Sequence, residues 1–116
     1  MIDETHLKER LHAAMLANSE IADALSRMES KLERVMKNLA KHHNSQTEQK
    51  LRAENAVIDA LKQETLAAAY EIRLGLQVGN QPETIEKLLD WFDASNARLK
   101  AAVEKFSARL NQFLGS

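Results

Sequence analysis

The stretch from Leu7 to Leu39 reads LKERLHAAMLANSEIADALSRMESKLERVMKNL, and it decides the fold class. Alternating steps of four and three residues connect its stripe positions: Leu7, Leu11, Ala14, Asn18, Ile21, Leu25, Met28, Leu32, Val35 and Leu39. This spacing is that of an amphipathic helix with a coiled-coil-like seam. Apolar residues beside the stripe widen it, which suits packing against two helices.

Two short segments interrupt the helical pattern and divide the chain. His42-His43-Asn44-Ser45 is the first, where Ser45 followed by Glu48 predicts a capping box. Val78-Gly79-Asn80-Gln81-Pro82 is the second, where Gly79 suits a helix C-terminus and Asn80 a helix N-cap. With Asp3 as the first N-cap, the sequence predicts helices at about 4–42, 46–78 and 81–114 within a single domain, 1–116.

Both connections are short, so consecutive helices should be antiparallel neighbours. The expected fold is therefore all-α, an up-down-up bundle of three long antiparallel helices with coiled-coil-like packing. The third helix repeats the seam of the first, whereas the second half of the middle helix is apolar around much of its circumference. Such a helix is either central or covered by a second chain, so we expect self-association.

One polar layer is expected inside the bundle. Asn18 lies about 14 residues into the first helix and Asn96 about 15 into the third, so both fall at the same height when these helices are parallel. The middle helix places Thr65 or Tyr70 there, depending on the loop from which one counts. A buried amide in a seam is best known for fixing register, and we expect Asn18, Thr65 and Asn96 to do so.

Charge is distributed unevenly along the expected rod, although the net charge is only −1. One end gathers basic residues: Arg34, Lys37, Lys41, Lys50, Arg52, Lys105 and Arg109. The other gathers acids: Asp3, Glu4, Glu9, Glu71, Glu83, Glu86, Asp90 and Asp93. This arrangement complements the helix dipoles and keeps the surface solvated. It also allows electrostatic docking onto a charged partner, including nucleic acid at the basic end.

Trp91 is the most suggestive single residue, because tryptophan is favoured at protein interfaces. Together with Leu88 it lies on a flank of the third helix, away from the seam. It can either cap the groove against the middle helix or anchor a partner. The candidate partner-binding set is Trp91, Leu88, Leu74 and Tyr70.

Several classes of function have no support in the sequence. There are no cysteines, no glycine-rich phosphate loop and no recognisable nucleophile–base arrangement. Adjacent His42 and His43 point in different directions on a helix, so no metal site and no cofactor are expected. The N-terminal MIDETHLKER is acidic and polar, so it is not expected to be a signal peptide, and no apolar run is long enough to span a membrane. A soluble chain without cysteine fits the cytoplasm, so a cytoplasmic protein is expected.

The resulting functional hypothesis is a non-catalytic protein–protein interaction module, a small adaptor, chaperone-like or regulatory protein that acts through helix–helix packing. Its partner would be another protein or itself, as a homodimer. The alternative is a nucleic-acid-binding regulator that uses the basic end around the 42–45 turn.

Overall fold

The computed structural model describes residues 3–115, which form three α-helices: α1 (Glu4–Lys41), α2 (Ser45–Gln77) and α3 (Pro82–Leu114). Each boundary lies within one residue of its predicted position. The helices form a rod whose Cα atoms extend over 60 × 20 × 16 Å. No helix within the described range is both long and apolar enough to cross a membrane.

The up-down-up arrangement is confirmed by side-chain pairs between the helices. In the pairs between α1 and α3 the residue numbers rise together, so these two helices are parallel. In the pairs between α2 and α3 one number rises as the other falls, so α2 runs in the opposite direction. The pairs that define these directions are Arg10–Asp90, Asn18–Asn96, Glu54–Arg109 and Glu64–Arg98.

The helix caps differ in part from the prediction. Asp3 caps α1 as expected, because its carboxylate accepts the N–H of Thr5 at 3.0 Å. The predicted capping box at Ser45 is wrong: Ser45 is already helical, and the side chain of Asn44 accepts the N–H of Thr47 instead. Asn44 can cap there because the preceding His43 takes a positive φ of 53° and reverses the chain one residue early.

At the second turn, Gly79 has the predicted left-handed conformation, with φ of 74°. Asn80 is not the N-cap of α3, however, since its N–H closes the end of α2 on the carbonyl oxygen of Gly75 at 2.9 Å. Gln81 occupies the cap position without a side-chain hydrogen bond, and Pro82 begins the helix, where its missing N–H costs nothing.

The central helix is α3, not α2. α3 packs along both neighbours, whereas α1 and α2 meet at only a few places despite being consecutive in the chain. The expected antiparallel orientation of α1 and α2 is confirmed, but these two helices pack more sparsely against each other than either does against α3. The third helix carries the largest fully buried side chain, Phe92, and has the broadest buried face.

The interior consists of two apolar clusters. Next to the 42–45 turn, the larger cluster contains Ile21, Leu25, Met28, Val35, Leu39, Leu51, Ile58, Leu99, Val103, Phe106 and Leu110. Toward the 78–82 turn, the second contains Leu7, Ala14, Ala68, Ala69, Ile72, Ile85, Leu89 and Phe92. Three buried polar residues fall between them along the helices: Thr65, Ser95 and Asn96.

Candidate partner-binding surface

The solvent-facing side of α2 carries unusually few charges. Among its 19 exposed residues only five are Asp, Glu, Lys or Arg, compared with 11 of 22 on α1 and eight of 15 on α3. Five large apolar side chains of this helix are exposed: Val57, Leu66, Tyr70, Leu74 and Leu76. On α1 and α3 the only one is Leu16. A single helix thus bears most of the exposed apolar surface of the described chain.

The position of α3 explains why this surface is exposed. α2 turns one side toward α3, and Leu51, Ile58, Thr65 and Ile72, seven residues apart, are all buried there. Because α1 packs chiefly on α3, it borders α2 at only a few places, such as the contact of Met15 with Arg73, and leaves much of the rest of α2 uncovered. The apolar residues on those sides, which predicted a helix that is either central or covered by a second chain, face solvent in the single chain. Clustered exposed apolar surface of this kind is typical of an interaction site.

The predicted partner-binding set falls into two groups. Trp91 and Leu88 are half-buried and pack against the second apolar cluster, at the edge between α3 and α2. The indole N–H of Trp91 donates to Glu64 of α2 at 3.2 Å, so its polar atom has a partner within the chain. Tyr70 and Leu74 are exposed on α2, with 62 % of the Tyr70 surface accessible. The structure therefore brings only Tyr70 and Leu74 to the accessible surface of α2.

Glu64 connects α2 to α3 through two neighbours. Its carboxylate accepts from Trp91 and, at 2.7 Å, from the guanidinium of Arg98. Arg98 also contacts the hydroxyl of the buried Ser95. This network fixes the indole against α2. No sequence pattern marks Glu64 or Ser95, and only the position of Glu64 opposite Trp91 in an antiparallel register could have indicated it.

Asn18 and Asn96 meet between α1 and α3. The side-chain amide of Asn18 donates to Asn96 at 3.0 Å, and the amide of Asn96 donates to the carbonyl oxygen of Ala14 at 3.1 Å. Thr65 is fully buried, but its hydroxyl donates to Leu61 within its own helix at 2.8 Å. Tyr70, the other residue considered for this height, is exposed. The predicted polar layer therefore consists of the Asn18–Asn96 amide pair, whereas the hydroxyl of Thr65 is hydrogen-bonded within α2.

The basic end gathers side chains from all three helices. Six of its seven predicted residues are exposed: Arg34, Lys37, Lys41, Lys50, Arg52 and Lys105. The seventh, Arg109, is half-buried. Lys37 pairs with Glu33, and Arg109 pairs with Glu54. Among residues 3–115 the other five form no ion pair. They present positive charge to solvent around the 42–45 turn.

A groove of about 280 Å³ lies between α2 and α3 near the basic end. Its apolar floor is formed by Val57, Ile58, Ala102 and Phe106, and Glu54, Lys105 and Arg109 surround it. It could accept an apolar side chain of a partner. Val57 lies nine residues before Leu66, about half a turn away around α2, so this groove is on the other flank of the helix from Leu66.

The acidic end is partly neutralised by Arg10. Its guanidinium donates to Asp93 at 2.8 Å and to Asp90 at 3.0 Å, which links α1 to α3. The hydrogen bond to Asp93, followed by that to Asp90, raises the pKa of Arg10 against the opposing effect of burial. Both carboxylates remain more than half exposed, so this pair sits on the surface of the rod.

No potential metal site formed by three or more His, Cys, Asp or Glu side chains occurs within the described residues. The candidate surface consists mainly of apolar and uncharged side chains on α2. Comparison with known proteins adds nothing to this surface, because no protein-family model, no curated protein and no solved structure matches the chain.

Proposed function

We propose that this protein is a non-catalytic interaction module of the cytoplasm, a small adaptor or regulatory protein that binds a partner protein through helix–helix packing. The observation that carries the proposal is the charge-poor, apolar outer face of α2. Leu66, Tyr70 and Leu74 follow one another at intervals of four residues, so they form a continuous ridge along this helix.

The mechanism is burial of this ridge against an apolar helix face of the partner. Removing a Leu or Tyr side chain from water stabilises a complex by roughly 1.5–3 kcal/mol when the burial is complete. Helix–helix packing uses side chains on the outside of a formed helix, so α2 can bind without unfolding. Rigid support comes from its opposite side, where Ile58, Thr65 and Ile72 are buried against α3.

Site-specific photo-cross-linking tests the proposal. A photoreactive aromatic residue replaces Tyr70 in one variant and Leu16 in a control variant, and each is irradiated in native lysate. Leu16 is a matched control because it is also a large, exposed apolar residue, 55 % accessible, but it lies on α1. We expect a protein adduct of discrete mass from position 70 and none from position 16. Equal labelling at both positions, or none at position 70, would reject α2 as the binding face.

The basic end supports a second candidate function, binding of nucleic acid. The supporting observation is the set of five exposed basic residues around the 42–45 turn that form no ion pair within residues 3–115. Phosphate contacts would make the affinity fall steeply as salt rises, whereas apolar docking on α2 would not. Charge reversal at Lys41, Lys50 and Arg52 should abolish nucleic-acid binding and leave the α2 adduct unchanged.

A further inference from the structure

We propose that the partner of α2 is a second copy of this chain, docked antiparallel about a two-fold axis that passes between Leu66 and Ala67. This inference rests on the proposed function, since it names the occupant of the same surface. The charges and side-chain sizes of this α2 face are self-complementary in one antiparallel register.

Asp59 and Arg73 supply the charge complementarity. They lie seven residues before and after Leu66, which is nearly two helical turns in each direction, so all three share one side of α2. In an antiparallel pair centred beside Leu66, Asp59 of one copy faces Arg73 of the other, and the symmetry repeats the contact. Both side chains are exposed, and Asp59 forms no ion pair among residues 3–115. Only one other charged residue, Glu71, is exposed between Ala53 and Gln77.

Side-chain size is complementary in the same register. Ala60 and Leu74 lie seven residues before and after Ala67, so Leu74 of one copy packs on Ala60 of the other. The axis itself brings Leu66 against its own symmetry mate. The Asp59–Arg73 contacts are centred on Leu66, and the Ala60–Leu74 contacts are centred on Ala67. These centres are one residue apart, about 1.5 Å along the helix, so a single axis between Leu66 and Ala67 fits both sets of contacts. Large residues therefore meet small ones away from the axis.

The position of the axis along the rod brings the charged ends together as well. Ala22, near the middle of α1, lines the same small groove as Leu66, so the axis crosses the rod near its midpoint. Two antiparallel rods then overlap along their full length. The acidic end of each copy lies beside the basic end of the other, which favours this orientation over the parallel one.

Disulfide trapping tests the register directly, because the natural chain contains no cysteine. Leu66→Cys gives each copy a single thiol beside the proposed axis, and Leu16→Cys is the control on α1. Under mild oxidation at micromolar protein we expect covalent dimers from Leu66→Cys and at most a tenth as much from Leu16→Cys. Absence of covalent dimer from Leu66→Cys, or equal yields from both variants, would overturn the register.

A charge swap provides a measurement that does not depend on a new thiol. Asp59→Arg and Arg73→Asp each place like charges opposite each other twice, and each should weaken the dimer about tenfold in sedimentation equilibrium. The double variant, with both charges exchanged, should recover the wild-type dissociation constant to within about threefold. A double variant as weak as the singles would refute the pairing of residues 59 and 73.

The failure of this inference can be distinguished from failure of the proposed function. A wild-type chain that sediments as a monomer, together with a position-70 adduct heavier than two copies of 13.1 kDa, would reject the second copy and retain α2 as a binding face for another protein. An adduct from position 70 at the mass of two copies supports both.

Discussion

The amide pair between Asn18 and Asn96 gives the sharpest energetic prediction. Asn96 is only 5 % exposed, and replacing it with alanine removes its hydrogen bonds to Asn18 and to Ala14. At a net contribution of about 1 kcal/mol for each bond, Asn96→Ala should lower the free energy of unfolding by about 2 kcal/mol. Asn18→Ala removes only the shared bond and should cost about 1 kcal/mol.

The double variant should not cost the sum of the two. Once Asn96 is absent, the half-buried amide of Asn18 has no acceptor on α3 and turns to water, so removing it costs little more. We expect about 2 kcal/mol for the double variant, which corresponds to a coupling of about 1 kcal/mol. Asn111→Ala, an exposed asparagine on the same helix, is the control and should change stability by less than about 0.5 kcal/mol.

Urea unfolding, followed by helical circular dichroism and by fluorescence of the single tryptophan, Trp91, measures these free energies. A loss of 2 kcal/mol should move the urea midpoint of Asn96→Ala downward by about 1–2 M. Coincident transitions from the two probes would justify two-state treatment. Additivity of the single variants to within about 0.3 kcal/mol would refute energetic coupling across the amide pair.

Three further substitutions test other parts of the fold. Gly79→Ala should destabilise the protein by about 1–2 kcal/mol in urea unfolding, because alanine is strained at the left-handed φ of 74°; an unchanged midpoint would contradict this. Phe92→Ala, at a fully buried site, should cost about 3–5 kcal/mol and lower the thermal midpoint more than any surface change. Arg10→Ala breaks the pairs with Asp90 and Asp93, yet should cost less than about 1 kcal/mol in low salt and nothing measurable in 1 M NaCl, because both carboxylates are exposed.

Much of the architecture could be predicted because it depends on local sequence patterns. The four–three spacing, Gly79 and Asp3 each determine backbone structure within a few residues, so the sequence predicts the helix ends to within one residue. The short connections predict that α1 and α3 are parallel, and the equal heights of Asn18 and Asn96 agree with that arrangement. The cap predicted at Ser45 shows the limit of this reasoning, since Asn44 and Ser45 are both good cap residues and the local sequence does not choose between them.

The assignment of the central helix could not be read from the sequence. Apolar residues around α2 are compatible with either a central helix or one whose outer face meets another surface. The choice depends on how α1 divides its contacts between α2 and α3, which is a property of the assembled bundle. For the same reason, the sequence leaves the role of Trp91 open, because the acceptor of its indole N–H is Glu64 on a different helix.

The separation of α1 from α2 has a consequence for the order of folding. The nearest neighbours of α1 lie in α3, as in the contact between Asn18 and Asn96, 78 residues apart, whereas α2 and α3 are joined by a short turn. Closing the longer loop costs more chain entropy, so the α2–α3 hairpin should form first and α1 should dock last. Pulse-labelled hydrogen exchange should therefore show amides of α2 and α3 protected before those of α1. During synthesis, α1 would leave the ribosome before α2 and α3 and would still be the last of the three to dock.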